Sequence, residues 1–129
     1  MILGFNLRFV EPIHEGIKIH TIRVDKTERW KPGVIIHFAN GVRTKNYTQF
    51  HKGKCISTQS IEIRNVFRKT DFDTYTFVRR DVYIDGRLLS TDEIWQLALN
   101  DGFDNPEDFF KWFNQDFKGK IIHWTDFRY

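Results

Sequence analysis

Cysteine is almost missing from this sequence: Cys55 is the only one in 129 residues. A lone thiol forms no internal disulfide and no thiolate-rich metal cluster, so the cytoplasm is the expected compartment. Glycine (8) and proline (3) are sparse. No repeat, low-complexity tract or Gly/Ser linker divides the chain, and residues 1–129 are read as one domain. No apolar run approaches the ~18 residues of a membrane span, so no membrane partner is expected. The opening MILGFNLRF has no basic segment followed by a long apolar one, as a signal peptide would. HExxH, cysteine pairs and a phosphate-loop glycine pattern are all absent, and the five histidines are dispersed. Neither a metal nor a cofactor is therefore expected. Nothing in the composition sets the oligomeric state.

Aromatic residues are plentiful, with thirteen Phe and four Trp in a chain that is 40% hydrophobic. This excludes disorder and supplies a real core for one domain. The net charge of +3 hides an asymmetry. Residues 1–70 carry 13 basic and 5 acidic side chains, whereas residues 71–129 carry 7 and 12. A molecule polarised in this way can turn one positive face to an anion; two halves with differently charged surfaces would look the same.

Local signals lay out the elements. Phe9 to Glu15 reads as a short helix with Pro12 in its first turn and Gly16 past its end. A strand is expected over Lys18–Val24. Lys31-Pro32-Gly33 marks a turn before a strand at Val34–Phe38, and Asn40-Gly41 a hairpin leading to Val42–Phe50. Residues 54–67 form the longest extended segment, with imperfect alternation that predicts a bend or bulge. Tyr75–Val78 and Asp81–Ile84 follow as strand, then Asp85-Gly86 as a turn. Ser90 and Glu93 form a capping box for a helix whose apolar stripe is Ile94, Trp95, Leu97 and Ala98. Asn105, Pro106 and Asp108 open a second helix that buries Phe109, Trp112, Phe113 and Phe117. Lys120–Trp124 returns as a closing strand. The class is α+β, and a small barrel would hide the edges of the short strands. Cys55 is read as a core residue.

The stretch GIKIHTIRV changes parity: Ile17 and Ile19 alternate, then Ile22 and Val24 do, one position out of step. A bulge near His20-Thr21 would put all four inward and gather Lys18, His20, Thr21 and Arg23 on the other face; a simple bend would do the same. An ammonium, an imidazole, a hydroxyl and a guanidinium so close together suit an anionic or polar ligand. Arg43 and Lys45 share parity in the next hairpin and extend this patch if the strands are neighbours, with Tyr47 and Phe50 interleaved for base stacking. Trp30 is expected at the mouth of the cleft.

Phe5, Phe9, Ile13, Gly16, Lys18, Thr21, Ile22 and Arg23 form a spaced F-x3-F-x3-I-x2-G-x-K-x2-T-I-R pattern. Trp30-Lys31-Pro32-Gly33 follows, and later Ala98, Asp101-Gly102-Phe103, Glu107, Phe109 and Trp112-Phe113. Together these resemble the ASCH domain of the PUA-like superfamily. The resemblance implies a small mixed β-barrel with a C-terminal helical pair packed beside it, and a cleft that binds RNA or nucleotide-like ligands. It also points to small bacterial amidohydrolases acting on acetylated cytidine, whose Lys-x-x-Thr pair lands on Lys18 and Thr21. Their catalytic glutamate falls near Asp101, one methylene shorter.

Three functional readings follow. The first is binding of RNA or a modified nucleotide or nucleobase in a basic cleft by Lys18, His20, Thr21, Arg23, Trp30, Arg43 and Lys45. The second is an amidohydrolase cleaving an N-acylated cytidine-like nucleoside, with Thr21 as nucleophile, Lys18 as base and Asp101 as acid or orienter. The third is a protein-interaction module.

Overall fold

The computed structural model describes all of residues 1–129. The chain forms eight strands, β1 (Ile2–Gly4), β2 (His20–Arg23), β3 (Ile35–Asn40), β4 (Thr48–Lys54), β5 (Ser57–Lys69), β6 (Tyr75–Ile84), β7 (Arg87–Leu88) and β8 (Phe117–His123), and three α-helices, α1 (Val10–His14), α2 (Thr91–Asn100) and α3 (Pro106–Trp112). No helix is long and apolar enough to cross a membrane.

Local chemistry accounts for most of these boundaries. Ser90 Oγ accepts from the Glu93 amide at 3.2 Å and Glu93 Oε1 from the Ser90 amide at 3.0 Å, so the capping box of α2 is complete. The helix ends in a Schellman motif: the Gly102 amide donates to Leu99 O and the Phe103 amide to Ala98 O. Gly102, at φ 92°, supplies the left-handed residue this motif needs. Asn105 Oδ1 caps α3 at the Asp108 amide, with Pro106 in its first turn. Asp85 and Gly86 both take positive φ, as a tight two-residue β6–β7 turn requires.

The strands make two sheets. One has the order β1-β3-β4, with β1 parallel to β3; the other is wholly antiparallel, in the order β2-β8-β5-β6-β7. Both contribute to one core, Ile36 and Phe38 from the first meeting Ile63, Ile121 and Ile122 from the second, with Leu97 and Phe109 from the helices. Cys55 is fully buried within it.

The expected barrel does not close. The chain passes from the first sheet to the second through Cys55 and Ile56, whose amides donate to Val34 O and His123 O and tie the sheets together on that side. On the other side β1 and β2 are both sheet edges, and no backbone ladder joins them. The fold is α+β with two sheets and an open seam. The strand expected to close it, β8, lies inside the second sheet between β2 and β5.

Several local expectations also need correction. The β2–β8 ladder runs without interruption through His20↔His123, Thr21↔Ile122, Ile22↔Ile121 and Arg23↔Lys120, so there is no bulge at His20-Thr21. The parity change has a simpler cause: the strand is only four residues long, and Ile17 and Val24 lie outside it, 55% and 54% exposed. Residues 42–47 are a turn and β4 starts at Thr48, so Arg43 and Lys45 have no strand parity to share. The bend or bulge anticipated within residues 54–67 is instead a register shift opposite Val66 and Phe67, whose unpaired residue, Val78, lies in β6. Trp95 is exposed, and Phe117 belongs to β8 rather than to a helix.

Candidate ligand-binding site

The end of α2 organises the site. A helix leaves its last carbonyls without intrahelical partners. Here the segment leading into β2 supplies donors: the Ile19 amide to Asn100 O at 2.9 Å and Lys18 Nζ to Asp101 O at 2.6 Å. A cation at a helix C-terminus is also favoured by the dipole. Lys18 Nζ reaches Asp101 Oδ1 as well, at 2.9 Å. Two residues 83 positions apart are thereby locked together, both almost fully buried. Gly102 permits the approach, because a Cβ there would lie 3.1 Å from Lys18 Cδ and from Phe9 Cδ1.

Behind this pair lies a buried hydrogen-bonded chain. His20 Nδ1 is 3.2 Å from Asp101 Oδ1, and a carboxylate only accepts, so Nδ1 carries the proton. His20 Nε2 then accepts from the Tyr129 hydroxyl at 2.6 Å, and that hydroxyl accepts from Asn100 Nδ2 at 3.1 Å. Burial pushes the Lys18 ammonium and the His20 ring down in pKa, against the opposing pull of Asp101. Burial alone would raise the Asp101 carboxyl. Lys18 and His20 more than offset this and hold it below the usual carboxylate range. The site therefore presents a fixed carboxylate at neutral pH.

A hollow of about 270 Å³ opens in front of the pair. Its walls include the rings of Phe5, Phe9, Phe103, Trp112 and Phe113, and its polar lining is Asn6, Lys18, Thr21, Arg23 and Asp101. Asp101 Oδ1 is taken by Lys18 and His20, leaving Oδ2 for a ligand donor. Lys18 uses two of its three N–H groups on Asp101. Thr21 Oγ1 accepts from Arg23 Nε at 3.2 Å, which leaves the hydroxyl proton free. One carboxylate acceptor and several donors thus converge in a hollow lined in part by aromatic residues.

Lys18, Thr21, Arg23 and Asp101 meet as one group around this hollow. The other expected residues do not join them. His20 is fully buried behind Asp101, supporting it from the side away from the hollow. Trp30 is in the core and lines a separate hollow beside Arg23. Arg43 and Lys45 are exposed on the β3–β4 turn and line neither. Sequence reasoning did not single out Asn6 or Phe103 as lining residues, nor His123 and Tyr129 as part of the buried network. Asn6 carried a usable signal, since an Asn just before a helical turn is a capping residue, and its side chain accepts from the Arg8 amide. Trp112, assigned to the core, is 50% exposed and forms part of the wall.

Comparison with known proteins returns nothing: no family model, no curated protein and no solved structure matches this chain. The early motif's resemblance to the ASCH domain thus has no match behind it, and the barrel it implied is open. The hydrolase assignment also lacks support. A threonine nucleophile needs a base to take its proton, yet Thr21 Oγ1 has the Arg23 guanidinium as its hydrogen-bond partner, while Lys18 Nζ is committed to Asp101.

Proposed function

We propose that this protein binds a nucleobase, as part of a nucleotide-like ligand or RNA, in the hollow between Lys18, Thr21, Asp101 and the aromatic walls. The observation that carries the reading is the free Asp101 Oδ2 beside unspent donors of Lys18 and Thr21, in a hollow that Phe and Trp residues also line. A base offers a flat π-surface and an edge of alternating donors and acceptors. A carboxylate selects an exocyclic amine, as Asp does with the cytosine N4 group. Lys18 and the Thr21 hydroxyl suit the adjacent ring nitrogen or carbonyl acceptors. Cytosine and adenine, in which the exocyclic amine lies beside a ring-nitrogen acceptor on the Watson–Crick edge, best match this order of groups. Guanine carries its amine beside a ring N–H there, and uracil has no amine. The lone buried thiol of Cys55 and a nucleotide ligand both suit the cytoplasm.

Titration with the four ribonucleosides, followed by calorimetry, tests the reading. Cytidine or adenosine is expected to bind in preference to uridine and guanosine. Trp112→Ala should weaken that binding by about 5- to 150-fold, equivalent to the ~1–3 kcal/mol of one stacked base. Trp112 is half exposed, so the variant keeps its core. Absence of nucleoside binding, or binding indifferent to Trp112, would refute the assignment.

A further inference from the structure

Arg23 stands where the two sheets fail to join. Instead of a backbone ladder, its guanidinium crosses the seam, Nη2 donating to Gly4 O at 2.6 Å. A second hollow, of about 540 Å³, lies along the same seam, with Met1, Arg23, Arg29 and Trp30 in its lining. Arg23 is the one residue that lines both hollows.

A guanidinium has five N–H groups. Those of Arg23 that are used go to neutral oxygens, Thr21 Oγ1 and Gly4 O, and three remain. The group is held in place from below by the Phe5 ring, 5.0 Å from its Cζ to the ring centroid. Arg29 is anchored through its backbone, its amide donating to Asp25 Oδ1 at 2.9 Å, while its guanidinium reaches only Met1 Sδ. Two guanidinium groups thus line one hollow with no carboxylate bonded to either. Arg23 is part-buried with Asp101 acting on it only through space, and Arg29 is exposed; their free planar forks of donors match a phosphate.

We infer that the ligand carries a phosphate ester at this seam, held by Arg23 and Arg29 beside the base. This rests on the base-binding reading above. The phosphate is that of a free nucleoside monophosphate or of an RNA chain; both present anionic phosphate-ester oxygens to the arginines.

The test uses the full chain. The four ribonucleosides, their 3′- and 5′-monophosphates, inorganic phosphate and a mixed-sequence hexaribonucleotide are titrated by calorimetry at two salt concentrations. For the base that binds best, one monophosphate is expected to bind at least tenfold more tightly than the nucleoside. Arg29→Gln should bring that ratio towards one while nucleoside affinity stays within threefold. Arg23→Lys keeps the charge but loses the fork, and should lower the ratio too. Tighter binding of the hexaribonucleotide, with steeper salt dependence, identifies RNA as the source; no gain over the monophosphate identifies a free nucleotide. Equal affinity for nucleoside and monophosphate, or a preference that survives Arg29→Gln, overturns the phosphate site and leaves the base site standing. Binding of phosphate but of no nucleoside overturns the base reading instead, and silence from every probe overturns both.

Discussion

Aromatic rings and basic side chains are combined at several places in this protein, and two of these combinations behave as opposites. At the end of α2, Lys18 Nζ sits 4.7 Å from the centroid of Phe9, with Asp101 as its buried ion partner. On the ribbon where β5 and β6 run on past the end of β8, Arg80 Cζ sits 5.3 Å from the centroid of Phe77, which packs edge-on against Phe67. In the first cluster Lys18 and Asp101 are almost fully buried, and each is positioned by the other. The second is open: Phe67, Phe72, Tyr75 and Phe77 are all exposed, and the ion pairs Arg79–Asp81 and Lys69–Asp73 lie at the surface. Exposed ion pairs are screened and loosely held, whereas buried ones are rigid and costly to break. Residue types alone therefore do not mark the site; the exclusion of water does.

The sharpest way to break this contrast is Asp101→Ala. It leaves Lys18 buried without its carboxylate and His20 Nδ1 without an acceptor, and should destabilise the fold by about 3–5 kcal/mol in urea unfolding. The double variant Lys18→Met, Asp101→Ala should recover part of that loss, because the isolated charge is gone.

Acid should come next. Gln59 Nε2 donates to Asp85 Oδ2 and to Tyr129 O, which fixes its Oε1 as acceptor and makes His123 Nε2 the donor to it. His123 Nδ1 is then a buried lone pair with no partner, and a proton there would have no acceptor. Burial, with the nearby charges of His20 and Arg128, pushes this ring down to about 3. An unfolded histidine titrates near ~6.5. Between those values the unfolded chain binds more protons than the folded one, so stability falls as pH falls. His123 contributes a loss of about 1.4 kcal/mol per pH unit below about 6.5, and His20, also lowered, adds to it. Denaturant midpoints measured from pH 7 to 4.5 should show this slope, and His123→Gln should reduce it.

Gly102→Ala probes the close approach itself. A Cβ on a residue at φ 92°, pressed against Lys18 and Phe9, should cost about 1–3 kcal/mol and weaken nucleoside binding in the same variant. The ribbon should be nearly silent by comparison. Phe72 is 98% exposed with φ 55°, so Phe72→Gly should be neutral or stabilising by up to about 1 kcal/mol. A large loss of stability there would mean that the two clusters are less different than their burial says.

The elements that the residues announced correctly are those governed by short-range rules. Ser90 with Glu93, Asn105 with Pro106, and Asp85-Gly86 satisfy or bend the backbone within a few positions, and the structure uses each as expected. The stretch from Gly16 to Val24 misled because its strand is shorter than its apolar pattern. Parity carries information only inside the ladder, and that ladder covers His20–Arg23 alone. The hairpin after Asn40 misled in the same way, with a six-residue turn where strand was expected, which removed Arg43 and Lys45 from the patch. Lys18, Thr21, Arg23 and Asp101 were named as candidates, yet the bulge invoked to gather them does not exist. At the end of α2 the Asp101 carbonyl draws in the Lys18 ammonium and the Asn100 carbonyl the Ile19 amide instead.

Residue order thus dictated the caps, the tight turns, the buried faces and the choice of polar groups, because each depends on neighbours a few positions away. Whether β1 and β2 would pair was a matter between sheet edges brought together from distant parts of the chain, and no local pattern encodes it. The unjoined seam, the guanidinium laid across it and the meeting of Lys18 with Asp101 exist only once helix end, strand edges and aromatic walls share one space, where desolvation and geometry settle which groups remain free.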